Sequence, residues 1–187
     1  MKNVNGGMNM RLPMDVKLKN GANAAISFLG TKDSVRELRQ YINTLVDEDT
    51  YLLVDRKVSL REEAEWKKGQ IAMRRKGDGY VLVARVGGKL AGTASARRGI
   101  GKERDNIFLG IALLKPFRGI GLGEALMRTN IAVAKGLFAP KNIWLCVFAP
   151  NKTAMGLYKK LGFRKFAVYP GWIAHRGGYV DDICMKL

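Results

Sequence analysis

A glycine-rich turn between an apolar run and a segment with helical spacing has the composition of a phosphate-binding site. The turn comprises Arg118, Gly119, Ile120, Gly121, Leu122 and Gly123. Successive backbone N–H groups of such a turn point outward at the positive end of the helix dipole, and a missing Cβ lets an anion approach the main chain. The guanidinium of Arg118 would add a charge-assisted hydrogen bond. A plain glycine-rich turn explains this hexapeptide equally well, because it lacks the lysine and hydroxyl of a P-loop and the spacing of a dinucleotide fingerprint.

Two further motifs flank this turn. Upstream lies the apolar run of residues 109–113, and the downstream motif consists of Asn151, Ala154, Leu157, Tyr158, Lys159, Gly162 and Phe163. In this order and spacing, the three motifs resemble the GNAT superfamily of acyl-CoA-dependent N-acyltransferases. The pyrophosphate motif of that family is Arg or Gln, two residues, Gly, one residue, then Gly or Ala, which Arg118, Gly121 and Gly123 match. The resemblance extends from about residue 77 to the C-terminal end of the sequence.

The resemblance implies a binding site for acetyl-CoA as acyl donor, with no metal ion. The main chain at Ile111 and Leu113, on the splayed fourth strand of the family, would pair with the amides of the pantetheine arm as a strand pairs with an extended peptide. Backbone N–H groups of residues 119–123 would hold the pyrophosphate, and Arg118 would add charge. Asn151, at the start of the next helix, would bond the pantetheine or help to hold the strands apart. Its alternative role is a simple helix N-cap.

Tyr158 is the catalytic residue that the resemblance implies. The family usually places a tyrosine at this position near the sulfur of CoA, where its hydroxyl would act as general acid and protonate the departing thiolate. The alternative for Tyr158 is an amphipathic aromatic side chain packed at the sheet edge.

A base must remove a proton from the acceptor, because an alkyl ammonium has a pKa of about 10 and cannot attack a thioester. Many relatives use a glutamate on or near strand four, but residues 107–114 contain no acidic side chain. Asp105, just before that strand, ranks first among the remaining side chains, and a water relay to backbone carbonyls is preferred to it. The other candidates are Glu103, His175, Asp181 and Asp182.

Recognition of the acceptor is expected from the segment after the first helix and from the loop before the last strand. The candidate pocket residues are Tyr51, Asp55, Trp66, Tyr169, Trp172 and His175. Scattered aromatic residues are more often core than ligand contacts. Three acceptor classes stay open: a small-molecule amine, a protein N-terminus and a lysine side chain.

Hydrophobic periodicity and helix-capping signals predict the helices and strands that position the candidate site residues. A helix is expected after Ser59, which forms a capping box with Glu62, with a break around Gly69. Strand signals recur at residues 22–28, 80–86, 89–97, 107–114, 142–148, 163–169 and 178–187. With the resemblance, these signals predict one α/β domain over residues 21–187, a mixed and mostly antiparallel sheet of about seven strands. We expect a V-shaped splay between strands four and five, helices on both faces, and a mobile arm over residues 1–20.

Composition limits the function classes. The 187 residues include 33 Lys and Arg against 16 Asp and Glu, a formal net charge of +17. Such a chain attracts polyanions, either nucleic acid, an anionic membrane surface or a phosphorylated cofactor. Cys146 and Cys184 have neither metal-ligand nor paired-motif spacing, so neither a zinc site nor a disulfide is predicted. The sequence has no apolar run of the roughly 20 residues that span a bilayer and no secretory signal, which favours a cytoplasmic protein without a membrane partner. The oligomeric state, monomer or homodimer, stays open.

Two other functions are compatible with the sequence. The first is a nucleic-acid-binding protein whose basic surface is the functional part, although no known recognition motif stands out. The second is a non-catalytic module that senses acyl-CoA, which the missing glutamate on strand four suggests.

Overall fold

The computed structural model describes residues 12–187, which form one sheet of eight strands and four α-helices. The helices are α1 (Val35–Asp47), α2 (Leu60–Lys76), α3 (Leu122–Phe138) and α4 (Lys152–Lys160). The strands are β1 (Met14–Lys17), β2 (Asn23–Phe28), β3 (Gly79–Val86), β4 (Lys89–Arg98), β5 (Asn106–Leu113), β6 (Asn142–Phe148), β7 (Arg164–His175) and β8 (Gly178–Lys186). The strand order is β1-β2-β3-β4-β5-β6-β8-β7, and β5 with β6 is the parallel pair of the described sheet. The predicted mixed, mostly antiparallel α/β sheet is confirmed, with eight strands in place of about seven.

The additional strand lies in the segment predicted as a mobile arm. β1 pairs with β2 in antiparallel register, with Met14 opposite Ile26, and Leu18 is buried. Met14 and Val16 pack against the same core as Leu18. The arm prediction is therefore wrong for residues 14–20. A strand of four residues has too few alternating apolar and polar positions to be recognised in a sequence. Residues 1–11 of the predicted arm lie outside the described residues.

Helices cover both faces of the sheet, as predicted. α1 packs on one face through Leu38, Tyr41 and Leu45, which form a single stripe at helical spacing. α3 packs on the opposite face, and its buried residues are Leu122, Leu126, Met127, Thr129, Asn130, Val133 and Ala134. A buried hydrogen bond from the Tyr80 hydroxyl to the Asn130 carbonyl, at 2.8 Å, ties α3 to β3.

α2 begins with the predicted capping box. The Glu62 N–H donates to Ser59 Oγ at 3.2 Å, and the Ser59 N–H donates to Glu62 Oε2 at 2.7 Å. The predicted break near Gly69 is wrong, since the helix is continuous through this position. A glycine inside a helix costs only about 1 kcal/mol, and the buried Lys67 donates to two backbone carbonyls in the loop before α1. None of the described helices is long and apolar enough to cross a membrane.

The two cysteines meet across neighbouring strands, contrary to the sequence prediction. Cys146 of β6 lies directly opposite Cys184 of β8, with a Cα–Cα distance of 4.1 Å and a disulfide between them. The 38 residues that separate them in sequence carry no pairing motif. Their proximity results from the strand register, which the spacing of the cysteines does not encode.

An ion-pair cluster fastens α1 to the hairpin of β3 and β4. Arg85 donates from Nη1 and Nη2 to the two carboxylate oxygens of Glu37, both at 2.8 Å, and from Nη2 to Asp33 at 3.0 Å. The Glu37 carboxylate also accepts the Leu90 N–H. The hydrogen bonds from Arg85 hold the pKa of Glu37 below its ordinary value of 4.5.

Glu37→Gln is expected to lower the free energy of unfolding at neutral pH by about 1–2 kcal/mol, because it removes charge-assisted hydrogen bonds from a partly shielded site. A carboxylate with a lowered pKa adds stability that is complete above its unfolded-state pKa and is lost as the pH falls through the folded-state value. Wild type and variant should therefore converge as the pH falls below 4.5. Urea unfolding at neutral and acid pH measures this, with Glu65→Gln of the exposed Arg61–Glu65 pair as a control that costs less than about 0.5 kcal/mol. Equal losses in both variants would contradict the expectation.

Candidate active site

A V-shaped opening separates β5 from β6, as predicted. Their parallel pairing joins residues 106–108 to residues 142–144, and the rest of β6 pairs with β8. In the described part of the chain, the edge of β5 from residue 109 to residue 113 has no neighbouring strand. A free strand edge can pair with an extended, amide-containing chain.

The backbone N–H and C=O groups of β5 point alternately toward β4 and toward the opening. The Leu114 N–H donates to a β4 carbonyl at 3.0 Å. Because the hydrogen-bonding groups of successive strand residues point in alternate directions, those of Ala112 also face β4. Ile111 and Leu113 therefore turn their N–H and C=O groups toward the opening. The buried Tyr41 hydroxyl donates to the Ala112 carbonyl at 2.8 Å, which anchors α1 to this strand.

The predicted phosphate-binding turn lies between β5 and α3. Gly119 and Gly121 have φ angles of 78° and 90°, which side chains with a Cβ rarely adopt, and Gly121 is the N-cap of α3. A Cβ at Gly123 would come within 3.2 Å of Leu113 Cδ1, so this glycine permits close packing of α3 on β5. No N–H group of residues 119–123 donates to another described residue. The turn thus presents unpaired donors at the positive end of α3.

Arg118 contacts the protein rather than the turn that follows it. Its Nε and Nη2 donate to the Leu113 carbonyl at 2.9 and 2.7 Å, and Nη2 also donates to Glu48 at 2.6 Å. Glu48 is the C-cap of α1. The guanidinium therefore joins the end of α1 to the end of β5, and its predicted contact with an anion stays a prediction.

Lys19 is a site residue that the sequence did not reveal. Its N–H donates to the Ile120 carbonyl at 3.0 Å. Its side chain lies against the turn, since a Cβ at Gly121 would come within 3.0 Å of Lys19 Cγ. The contact joins residues separated by more than half of the chain, so no local pattern identifies it.

The acidic residue in the first turn of α3 is neutralised by two cations. The Glu124 carboxylate accepts from Lys160 at 2.5 Å and from Arg128 at 3.0 Å. These hydrogen bonds, that of Lys160 first, hold the pKa of Glu124 below its ordinary value. The carboxylate is charged but paired, so it offsets little of the positive potential that the N-terminus of α3 offers to an anion.

α4 carries Tyr158 and packs on the start of α3. The preceding residue, Leu157, approaches within 3.5 Å of the position that a Cβ of Gly123 would take. The side chain of Tyr158 is buried against Phe163, with ring centroids 5.9 Å apart. Burial raises the pKa of Tyr158 to about 12, so the hydroxyl holds its proton at neutral pH. No hydrogen bond joins this hydroxyl to another described residue.

Asn151 has the capping role that was the alternative to ligand binding. Its Oδ1 accepts the Ala154 N–H at 3.1 Å, which satisfies one of the free donors at the start of α4. A contact between Asn151 and pantetheine stays a prediction.

A cleft of about 400 Å³ lies between the residues that follow α1 and the hairpin of β7 and β8. His175 forms part of its wall and packs between Tyr51 and Phe148, with ring centroids 5.1 and 5.7 Å away. Its Nε2 is buried and has no hydrogen-bond partner among the described residues, and its Nδ1 lies 3.9 Å from Asp49. Asp49 also accepts from Arg176 at 2.9 Å, which fastens the hairpin to the end of α1.

The predicted acceptor residues separate into two groups. Asp55 and His175 line the cleft, and Tyr51 packs on the imidazole. Trp66 belongs to α2, while Tyr169 and Trp172 lie on the outer part of β7. None of these last three lines the cleft.

The model of the acetyltransferase (GNAT) family matches residues 40–163, which include β5, the glycine turn and α4. The chain belongs to the GNAT acetyltransferase family. Two curated relatives are N-alpha-acetyltransferases of Sulfurisphaera tokodaii and Sulfolobus acidocaldarius, each 36% identical, over 58 and 62 residues. These matches cover 31% and 33% of this GNAT chain and 35% and 37% of the relatives. The chain thus spans about a third of the length of the curated relatives it matches.

Solved structures of other proteins share the GNAT fold of this chain. A GNAT acetyltransferase from Streptococcus pneumoniae has a TM-score of 0.77 at 23% identity, covering 88% of this chain and 98% of that one. The yncA protein of Salmonella typhimurium, solved with its cofactor acetyl-CoA, has a TM-score of 0.76 at 22% identity, with coverage of 88% and 92%. A ribosomal-protein-alanine N-acetyltransferase from Brucella melitensis has a TM-score of 0.76 at 22% identity, with coverage of 87% and 98%. At these sequence identities, the structural similarity shows a shared fold.

Asp105 is not part of the opening in this GNAT chain. It precedes β5, and a strand of this length puts it about 26 Å from Leu113. Its carbonyl accepts the Lys141 N–H at 2.7 Å, and its exposed carboxylate lies 3.9 Å from Arg98. The sequence ranked Asp105 first because it is close to β5 in the chain, but it lies at the closed end of the splay.

Two consecutive residues at the end of α1 link the glycine turn to the cleft. Glu48 pairs with Arg118 next to the turn, and Asp49 pairs with Arg176 of the hairpin. Asp49 adopts a positive φ of 47°, which aspartate tolerates better than most residues. The opening and the cleft therefore share one boundary, formed by the residues that follow α1.

Proposed function

We propose that this GNAT protein transfers the acetyl group of acetyl-CoA to the α-amino group of a polypeptide. The observation that carries the proposal is the free edge of β5 next to the unpaired N–H groups of residues 119–123. A donor with amides in an extended arm and a pyrophosphate at its end is complementary to both features. The family match supports acetyl transfer, and the two relatives named N-alpha-acetyltransferases support the acceptor class.

The donor site fits acetyl-CoA, which supplies an activated thioester. The free N–H and C=O groups of Ile111 pair with the pantetheine arm, whereas Arg118 already occupies the Leu113 carbonyl. Residues 119–123 hold the pyrophosphate, and the side chain of Lys19 lies against Gly121 next to them. The Leu113 N–H is the favoured donor to the thioester carbonyl, where negative charge develops as the amine attacks directly.

Tyr158 provides the proton for the leaving thiolate. Its hydroxyl stays protonated well above neutral pH, because burial of the side chain raises its pKa to about 12. A group in this state can act as general acid but not as the base for the amine. A different side chain must therefore accept the proton of the acceptor.

His175 is the best placed group for that step. His175 lines the cleft, and its Nε2 has no partner among the described residues. Because this nitrogen is buried, a small movement of the cleft wall must expose it before it takes up the proton of the ammonium through one water. Asp49, near Nδ1, would stabilise the resulting imidazolium. Asp55, also in the cleft wall, attracts the cationic acceptor.

His175→Gln is expected to lower kcat/KM for a peptide acceptor by about 100-fold, because glutamine fills similar space but cannot take up a proton. The Kd for acetyl-CoA should change little, since the cleft is separate from the glycine turn. Steady-state kinetics and calorimetry measure the two effects. Trp172→Phe, on the exposed part of the same hairpin, is the matched control and should keep full activity. Unchanged kcat/KM in the His175 variant would remove it as the base.

Thiol release from acetyl-CoA tests the function with three matched peptides. One carries a free N-terminus and no lysine, the second a blocked N-terminus and one lysine, and the third neither amine. We expect release with the first peptide, and release confined to the second would replace the α-amine by a lysine acceptor. Acetyl-CoA binding without release from any peptide or small amine would favour the non-catalytic sensing module.

A further inference from the structure

A row of aromatic and cationic side chains crosses the closed end of the sheet. The strand registers place Arg97 of β4 opposite Phe108 of β5, and Phe108 opposite Trp144 of β6. Trp144 in turn lies opposite Lys186 of β8, which lies opposite Arg164 of β7. Directly paired residues project from the same face of a sheet. Five strands therefore contribute to one continuous row.

The aromatic rings of this row are in contact and reach solvent. The ring centroids of Phe108 and Trp144 are 4.7 Å apart, and those of Trp144 and Phe166 are 6.3 Å apart. Phe108 is 36% exposed and Phe166 is 49% exposed. Lys186 Nζ lies 5.8 Å from the centre of the Phe166 ring. We call Phe108, Trp144 and Phe166, with Arg97, Arg164 and Lys186, the aromatic row.

A basic cavity of about 340 Å³ lies at the same end of the sheet, on the opposite face. Its lining includes Phe28 and Arg98, which the strand registers place beside Leu82 and Ile107 of the core under α3. The guanidinium of Arg74 stacks on the Phe28 ring at 3.6 Å. This cavity adds positive charge near the aromatic row but is not part of it.

We propose that the aromatic row binds single-stranded nucleic acid. Unpaired bases stack on Phe108, Trp144 and Phe166, while the flanking cations Arg97, Arg164 and Lys186 neutralise phosphates. A duplex hides the faces of its bases, so it gains the electrostatic part of this affinity without the stacking part. The net charge of +17 strengthens the attraction.

This surface is separate from the proposed acetyl-transfer site. The aromatic row lies where β5 and β6 are still paired, whereas the glycine turn follows the other end of β5. Binding of nucleic acid at the row therefore does not depend on the proposed function. A variant of the row can be assayed with acetyl-CoA as an independent check that the fold is intact.

Fluorescence anisotropy of the full chain with labelled single-stranded RNA, single-stranded DNA and the matching duplexes tests the proposal. Phe166→Ser removes the most exposed ring and should weaken single-strand binding by about 5-fold or more, because stacking contributes about 1–3 kcal/mol per base. It should leave duplex binding nearly unchanged. Trp144→Leu, a second variant that keeps an apolar side chain at its half-buried position, should have the same selective effect.

The cation contribution is tested by the salt dependence of binding. Replacing Arg97, Arg164 and Lys186 together by glutamine should reduce the slope of log affinity against log salt by about 2, since each phosphate contact to a single strand contributes about 0.7. The matched control replaces three exposed lysines of α3 and α4, on the opposite face, by glutamine: Lys135, Lys152 and Lys159. This control removes the same charge and should keep the wild-type slope.

Three results would overturn the proposal. The first is a wild-type chain that binds no single strand at low salt. The second is a wild-type chain that binds single strand and duplex with equal affinity, together with a Phe166→Ser variant that loses the same affinity for both. The third is equal reduction of the salt slope by the two triple variants, which would show that the charge acts without a defined site.

Discussion

Gly121→Glu should raise the Kd for acetyl-CoA by about 100-fold or more, which corresponds to roughly 2.7 kcal/mol. The substitution places a carboxylate at the N-terminus of α3, where the unpaired N–H groups of residues 119–123 are proposed to hold a pyrophosphate. It also adds a side chain at a φ of 90° and within 3.0 Å of Lys19 Cγ. Repulsion of the pyrophosphate and displacement of Lys19 act in the same direction. Isothermal calorimetry with acetyl-CoA measures the effect.

Two companion variants separate charge from geometry in this experiment. Gly136→Glu adds the same carboxylate to the same helix, where a Cβ meets nothing within 4 Å, and it should bind acetyl-CoA like the wild type. Gly121→Ala adds strain and a methyl group without charge, and its loss should be smaller than that of Gly121→Glu. An unchanged Kd in Gly121→Glu, with cooperative unfolding retained, would show that the turn does not hold the pyrophosphate.

Tyr158→Phe should lower kcat by about 100-fold, the lower end of the range for loss of a general acid. The hydroxyl has no hydrogen-bond partner among the described residues, so its removal should leave the melting temperature and the Kd for acetyl-CoA close to their wild-type values. Because the pKa of Tyr158 is raised to about 12, the hydroxyl remains protonated, and able to donate, throughout the neutral range. Pre-steady-state thiol release distinguishes the chemical step from product release.

Tyr80→Phe is the matched control, since it removes the hydroxyl of another buried tyrosine. That hydroxyl donates to the Asn130 carbonyl, so its loss should cost about 1 kcal/mol of stability and leave kcat unchanged. The two variants should therefore show opposite patterns, activity lost in one and stability lost in the other. Full activity of Tyr158→Phe would assign its side chain to packing alone.

Features that depend on near neighbours in the chain were predictable. The capping box of Ser59 and Glu62 joins residues three apart, and the N-cap contact of Asn151 with Ala154 has the same spacing. The positive φ values of Gly119 and Gly121 also follow from a turn between strand and helix, where glycine alone is free of strain. The splayed sheet was predicted through the resemblance of three local motifs to the GNAT family, which the family match confirms.

The wrong predictions concern features that need a distant partner or a full three-dimensional path. β1 has four residues and is stable because β2 pairs with it and the core accepts its side chains. The disulfide of Cys146 and Cys184 requires the register of β6 on β8. The ranking of Asp105 as base stays a prediction that the geometry does not favour. Asp105 is close to Leu113 in sequence, but an extended strand rises about 3.3 Å per residue and carries the two apart.

The sequence by itself determined the family, the glycine turn at the start of α3 and the tyrosine of α4. These features rest on backbone conformation and on contacts within one or two turns, which local residue types decide. Only the tertiary structure decided what faces them: Lys19 against the turn, Glu48 on Arg118, and His175 between Tyr51 and Phe148. The aromatic row likewise exists only in the folded sheet, because its members come from five strands. Strand register and helix packing arise from burial summed over the whole chain, so no short segment specifies them.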